Sequence, residues 1–110
     1  MPTFDEREKG FEAQFKHDQE LQFKATARRN KLLGLWAAGL MGLSGADAEA
    51  YAREVVAADF QKPGDDDVVD KVQGDLKAKS IDRTAHQIRK QMEALMPVAR
   101  QEIMKELGKK

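Results

Sequence analysis

The sequence predicts an all-α protein, a four-helix bundle with a mobile, amphipathic N-terminal segment. The composition favours helices, because Ala, Lys, Glu, Gln and Leu are frequent, β-branched residues are sparse, and only 3 prolines occur in 110 residues. Apolar residues also recur at helical spacing in four stretches with short connections, as in antiparallel bundles. We expect a segment 1–19, disordered or marginally helical when free, and a four-helix domain 20–110 with helices at about 20–42, 46–61, 65–78 and 84–107.

The first two helices of the domain are predicted to pack as a pair across a tight turn that contains Gly42 and Gly45. The core side of the first helix is expected at Leu21, Ala25, Leu32, Leu35, Trp36 and Leu43, widened by Leu33 and Leu40. A lone tryptophan in an apolar stripe is usually core, which we favour for Trp36 over a ligand anchor. Ser44 and Asp47 match a capping box at the start of the second helix. Its inward face is expected at Ala48, Tyr51, Ala52, Val55, Val56 and Phe60.

The third helix is predicted to follow a break at Pro63 and Gly64. Its buried face is expected at Val68, Val69, Val72 and Leu76. Three aspartates, residues 65–67, precede this face and could form either a metal site or a cap at a solvated helix start. The spacing lacks the pattern of a calcium loop, so we favour the cap.

The fourth helix shows the clearest apolar stripe of the chain. Thr84 and Gln87 form a predicted capping box at its start, and Gly108 suits its end. Pro97 projects opposite the stripe, so it should bend the helix rather than end it. The stripe consists of Ala85, Ile88, Met92, Leu95, Met96, Ala99, Ile103 and Leu107.

The N-terminal segment does not continue the pattern of the bundle. Phe4, Phe11 and Phe15 share one face of a helix, roughly 100° away from the core side predicted for 20–42. Downstream, this face meets polar residues, among them Arg29, before it reaches Leu33. Such a segment can order by burying its aromatic face in the groove of a partner, or its rings can pack back on the bundle. The spacing alone does not decide between these alternatives.

Charge and hydropathy exclude several classes of protein. The 19 basic and 19 acidic residues cancel, so no net charge attracts nucleic acid or an anionic membrane. The chain contains no cysteine, and its longest apolar run, residues 32–43, is shorter than the roughly 20 residues of a membrane span. The charged N-terminus does not resemble a secretory signal. We therefore expect a cytoplasmic protein with no nucleic-acid partner and no membrane insertion.

A search for catalytic or ligand-binding patterns is mostly negative. The chain has no phosphate-binding loop, and His17 and His86 have no neighbour at metal-binding spacing. We predict no catalytic residues, no metal and no enzyme activity. The basic cluster Lys24, Arg28, Arg29 and Lys31 could contact a phosphate or an acidic partner, although pairing of Glu20 with Lys24 would explain part of it.

Two stretches carry a resemblance to a known family. They are residues 3–12, TFDEREKGFE, and residues 22–38, QFKATARRNKLLGLWAA. Weaker similarity continues through 48–52, 55–60 and 86–89. Together these stretches resemble the zeta subunit family, small inhibitors associated with F-type ATP synthases of alphaproteobacteria.

The resemblance implies a mobile N-terminal segment that becomes an inhibitory helix. In the family, this helix inserts at a catalytic subunit interface of the synthase head, formed by the alpha, beta and gamma subunits, and blocks rotation in the hydrolytic direction. The free protein is then expected to be monomeric, and peripheral to the inner membrane through the synthase. The implied partner-binding residues are Thr3, Phe4, Asp5, Glu6, Arg7, Glu8, Lys9, Phe11, Glu12 and Phe15.

Other functions stay open on the sequence. The family is also linked to weak ADP or ATP binding, for which Lys24, Arg28, Arg29 and Trp36 are the candidate residues. A helical adaptor or assembly factor that uses the same N-terminal helix on another protein is a further alternative.

Overall fold

Four α-helices account for nearly all of the chain that the structure describes. The computed structural model describes the backbone of residues 4–59 and 64–108 and the side chains of residues 19–59 and 64–107. The helices are α1 (Phe4–Leu40), α2 (Gly45–Ala58), α3 (Asp66–Ala78) and α4 (Ala85–Gly108). No strand occurs among the described residues. The predicted all-α, four-helix architecture is confirmed.

Helix α1 begins well upstream of residue 20, where the sequence analysis starts the first helix of the domain. It spans 37 residues, against 14, 13 and 24 for the other three helices, and at 1.5 Å per residue it is about 55 Å long. No proline interrupts residues 4–40. A single glycine such as Gly10 costs only about 1 kcal/mol, which is too little to end a helix already extended from a packed bundle.

The main core lies where all four helices meet. Every position predicted to be inward on α3 is buried, as are Tyr51, Ala52 and Val55 on α2. On α4 the stripe is confirmed, with four positions buried and the others half-buried. Phe60, also predicted to be inward, lies outside the described residues. The buried cluster comprises Leu33, Ala37, Ala38, Tyr51, Val55, Val68, Val69, Val72, Leu76, Ile88 and Met92.

The buried face of α1 is not centred where the sequence analysis places it. Leu32, Leu35 and Trp36 are only half-buried, although Trp36 packs against the core as predicted. The fully buried positions include Leu33, which was expected only to widen the face. Since α1 contacts each of the other three helices, its buried arc is wide, and Leu32, Leu35 and Trp36 lie nearer its edges than Leu33 does.

Helices α1 and α2 approach each other closely at Gly34. A Cβ atom added at this glycine would lie 2.6 Å from the Cα atom of Ala52. Real Cβ atoms do not come so close to a backbone atom, so α2 can pack here only against a residue without a side chain. Gly34 therefore sets the distance between the two helices.

The ends of the helices follow the predictions only in part. The Thr84 N–H donates to Gln87 Oε1 at 2.9 Å, and the Gln87 N–H donates to Thr84 Oγ1 at 3.1 Å, so the predicted capping box at α4 is confirmed. Helix α4 also continues through Pro97, which is exposed.

The predicted capping box at the start of α2 is wrong: Ser44 is the N-cap residue, but its side chain makes no capping hydrogen bond. Asp47 is one methylene shorter than the glutamate of a capping box, so its carboxylate has less reach toward the Ser44 N–H.

Candidate functional site

The candidate partner-binding residues from Phe4 to Phe15 belong to the first turns of α1. Residues 4–15 are part of the same continuous helix that enters the bundle. Thr3 and the side chains of the candidates from Phe4 to Phe15 lie outside the described residues. Whether the phenylalanines bind a partner or pack on the bundle therefore stays a prediction.

The burial of Arg29 contradicts one reason for expecting the aromatic face of the N-terminal segment to end before the bundle. Arg29, a polar residue at which the face was expected to lapse, is only 5% exposed. Its Nη2 donates to Asp65 Oδ1 at 2.8 Å and its Nη1 to Asp65 Oδ2 at 3.3 Å. Nη2 and Nε also donate to the side-chain oxygen of Asn30 at 2.8 and 3.1 Å. Arg29 is a structural residue, because a buried guanidinium needs such partners to offset its lost hydration.

The acidic start of α3 also differs from its predicted role. Asp65 is the N-cap residue, yet its side chain makes no capping bond and binds Arg29 instead. Asp66 pairs with Arg89 of α4. Two of the three aspartates therefore attach α3 to neighbouring helices. Among the described residues no group of three or more His, Cys, Asp or Glu side chains could hold a metal ion.

Arg28 is held by two carboxylates of α4. Its Nη1 donates to Glu102 Oε1 at 2.8 Å, and its Nη2 donates to Glu106 Oε1. The hydrogen bonds to Glu106 and Glu102 raise the pKa of Arg28 above its ordinary value. Since both terminal nitrogens of the guanidinium are engaged, a phosphate would have to compete with two anions for this side chain.

Three of the four candidate nucleotide-binding residues are engaged in separate contacts within the bundle. Arg28 bonds to α4, Arg29 bonds to Asp65 at the start of α3, and Trp36 packs against the main core. Lys24 is exposed and forms no ion pair with a described residue, so the pair expected with Glu20 is not formed. The structure thus divides the basic cluster among separate structural contacts.

Lys31, the fourth residue of the basic cluster, lines a groove between α1 and α2 that was not predicted from the sequence. This α1–α2 groove measures about 440 Å³. Its cations, Lys31 and Arg53, are exposed and form no ion pair with a described residue. Glu49 and Arg53 lie one helical turn apart, a spacing that in sequence is indistinguishable from a solvated helix face. The groove is lined by Lys31, Glu49, Ala52, Arg53, Val56 and Ala57.

A second feature missed in the sequence is a polar contact between α2 and α3. The Tyr51 hydroxyl donates to Asp75 Oδ2 at 2.9 Å, and Lys71 Nζ donates to the same oxygen at 3.1 Å. Burial, followed by the hydrogen bond to Asp75, raises the pKa of Tyr51 far above its ordinary value. Tyr51 was predicted only as an apolar core residue, because the position of its hydroxyl partner depends on the packing of the helices.

No described helix is both long enough and apolar enough to cross a membrane.

Comparisons with known proteins agree with the fold and with the resemblance of the two stretches to the zeta subunit family. No match was found among curated proteins. A chain solved by solution NMR is 52% identical, with a TM-score of 0.69, over 78% of this chain and 98% of the solved one. The family described as "ATPase inhibitor subunit zeta" matches residues 1–102, which include both the N-terminal segment and most of the bundle. This chain therefore belongs to the ATPase inhibitor subunit zeta family, a family of regulatory proteins rather than enzymes.

Proposed function

We propose that this chain inhibits ATP hydrolysis by the F-type ATP synthase through the N-terminal part of α1. The observation that carries the proposal is the extent of the family match, which includes residues 1–19 together with the bundle. The helix would insert at a catalytic interface of the head, against alpha, beta and gamma subunits, and block rotation in the hydrolytic direction. The protein would be cytoplasmic and peripheral to the inner membrane through the synthase.

The mechanism is steric, so this chain needs no catalytic group of its own. Phe4, Phe11 and Phe15 would anchor the helix in the cleft, since large aromatic side chains supply most of the binding energy of a helix in a groove. The charged residues would set register and orientation by pairing at the rim of the cleft. They are Asp5, Glu6, Arg7, Glu8, Lys9 and Glu12, next to Thr3.

The test is a double substitution, Phe11→Ala with Phe15→Ala, in the full chain. It should weaken inhibition of ATP hydrolysis by the purified synthase head at least tenfold, because two anchors are lost. Met104→Ala is the control: Met104 is an apolar residue of α4 that is 60% exposed, and its truncation should leave inhibition within about twofold.

Two further results would contradict the proposal. If the double variant melts the bundle, as judged by circular dichroism, the two rings are core residues and not anchors. A chain lacking residues 1–19 that keeps its helical content and still inhibits would show that the bundle carries the inhibition.

Weak adenine-nucleotide binding is a second candidate function, supported by the two cations of the α1–α2 groove. Arg28 and Arg29 are already paired, so we expect ATP or ADP to shift the amide resonances of Lys31 and Arg53 first. Absence of any shift at millimolar nucleotide would remove this candidate.

A helical adaptor or assembly factor is the remaining alternative. Pull-down from cell extract separates it from the inhibitor: recovery of catalytic synthase subunits supports the inhibitor, and recovery of unrelated proteins supports the adaptor.

A further inference from the structure

The contact of Arg28 with α4 lies 13 residues after Phe15, the last of the predicted partner-binding residues on α1. Glu102 and Glu106 are one helical turn apart, so their carboxylates reach the two terminal nitrogens of one guanidinium. The Arg28 side chain is 22% exposed, and those of the glutamates are 38% and 57% exposed. Arg28 and Glu102 are less exposed than the Arg89–Asp66 and Lys90–Glu93 pairs, which strengthens their attraction, whereas Glu106 lies nearer the solvent.

Other contacts of the same two helices flank the cluster. Arg100 donates to the side-chain oxygen of Gln22 at 3.0 Å. Ala25, Ala99 and Ile103 are buried but lie outside the main core cluster. We call these residues, with Arg28, Glu102 and Glu106, the α1–α4 seam. The seam fixes α1 from residue 22 to residue 28.

A fixed turn changes the cost of helix formation in the residues that precede it. A new helix must first order a complete turn, with an equilibrium constant of about 10⁻³, whereas extension of an existing helix has a constant near one per residue. Gln22 is seven residues, about two turns, from Phe15. Without the seam, the nearest fixed point on α1 would be the buried pair of Arg29 and Asn30, two turns farther from the partner-binding residues.

We propose that Arg28 is a positioning residue, which holds α1 against α4 through Glu102 and Glu106 and thereby presets residues 4–18 as a helix for the partner. The expected effect of this role on inhibition rests on the proposed function. Its effect on the free chain does not depend on that function.

The test compares Arg28→Ala with Arg89→Ala in the full chain. Arg89 is the control, because it joins α4 to Asp66 at the start of α3, 13 residues before Glu102 on α4, and makes no ion pair with the described side chains of α1. In the free protein, Arg28→Ala should accelerate amide hydrogen exchange in residues 8–18 about three- to fivefold, and Arg89→Ala should leave it unchanged. Unchanged exchange in a folded Arg28→Ala variant would overturn the proposal.

A conservative pair of variants keeps the test decisive if Arg28→Ala does not fold. Replacing both glutamates, by Glu102→Gln and Glu106→Gln, preserves the shape of the side chains and removes their charge. It should accelerate exchange in the same residues. Arg28→Lys should restore part of the protection, because an ammonium group can bind one carboxylate at a time. A double glutamine variant with the exchange of the wild-type chain would count against the proposal.

Inhibition of the synthase head separates the positioning role from the proposed function. If the wild-type chain inhibits, Arg28→Ala should require about three- to fivefold more protein for half-inhibition. Faster exchange with unchanged potency would overturn the positioning role. Faster exchange when the wild-type chain does not inhibit would refute the proposed function and leave the effect of the seam on helix formation supported.

Discussion

The main core and the α1–α4 seam join parts of the same helices by different chemistry. The main core buries large aliphatic side chains from all four helices, such as Leu33 and Leu76. In the seam, small or isolated apolar residues such as Ala25 and Ile103 are flanked by charged side chains at partial exposure. Close-packed apolar contacts respond to changes of volume, whereas partly exposed ion pairs respond to salt and charge. The seam is therefore the part of the molecule whose strength can change without loss of the fold.

The largest effect on the free energy of unfolding is expected when a buried aliphatic residue is truncated, and the loss should be greater in the main core than in the α1–α4 seam. Leu76→Ala should lower the free energy of unfolding by about 3 kcal/mol, because the cavity it leaves is surrounded by packed side chains. Ile103→Ala should lower it by about 2 kcal/mol, since neighbouring side chains at the edge of the bundle can relax into the space. Urea denaturation followed by circular dichroism measures both. A greater loss for Ile103→Ala would mean that the seam, not the main core, limits stability.

A substitution at the close approach of α1 and α2 should have an intermediate effect on the free energy of unfolding. Gly34→Ala should cost about 2 kcal/mol, because the added methyl group meets the backbone of Ala52 and the two helices must separate. Gly39→Ala is the control: it lies on the same helix, and an added Cβ has no neighbour within 4 Å. Its stability should be unchanged or slightly higher. Equal melting temperatures of the two variants would show that the α1–α2 contact adjusts as readily as the seam.

The smallest effect concerns the hydroxyl of Tyr51 and depends on pH. Tyr51→Phe should lower the stability by about 1 kcal/mol at neutral pH, through the lost hydrogen bond to Asp75. Because the folded state raises the pKa of this phenol above the ordinary 10.0, its contribution is complete below pH 10 and is lost as the pH rises above that value. The unfolding free energy of the wild-type chain should thus fall more steeply above pH 10 than that of Tyr51→Phe.

A single tyrosine makes the alkaline measurement direct. Tyr51 is the only tyrosine of the chain, so ultraviolet absorbance follows the ionisation of this one phenol. Titration of the folded protein at the ordinary pKa would contradict both the burial of the hydroxyl and the predicted difference in slope.

Helix α4 was predictable from the spacing of its own residues. The stripe of α4 and its Thr84–Gln87 box depend on spacing within a single helix, and both are confirmed. The centre of the buried face of α1 could not be found in this way, because it depends on how three other helices surround α1. The carboxylate partners of Arg28 and Arg29 were missed for the same reason, since they lie 36 to 78 positions away along the chain.

The candidate site was less predictable than the fold. Local spacing identified a cluster of basic residues but not which of them are buried. Arg29 was interpreted as a polar residue, and its burial depends on Asp65, which comes from the start of α3 to offset part of the lost hydration. Lys31 and Arg53 come together because α2 turns back along α1, an event that no motif within either helix records.

The burial of Arg29 has a consequence for the order in which the chain folds. A partial assembly that covers this guanidinium before α3 docks would leave it without the Asp65 carboxylate, which lies 36 residues downstream. A half-assembled bundle is therefore penalised until the third helix docks. The buried charge therefore favours all-or-none assembly over stable partial structures.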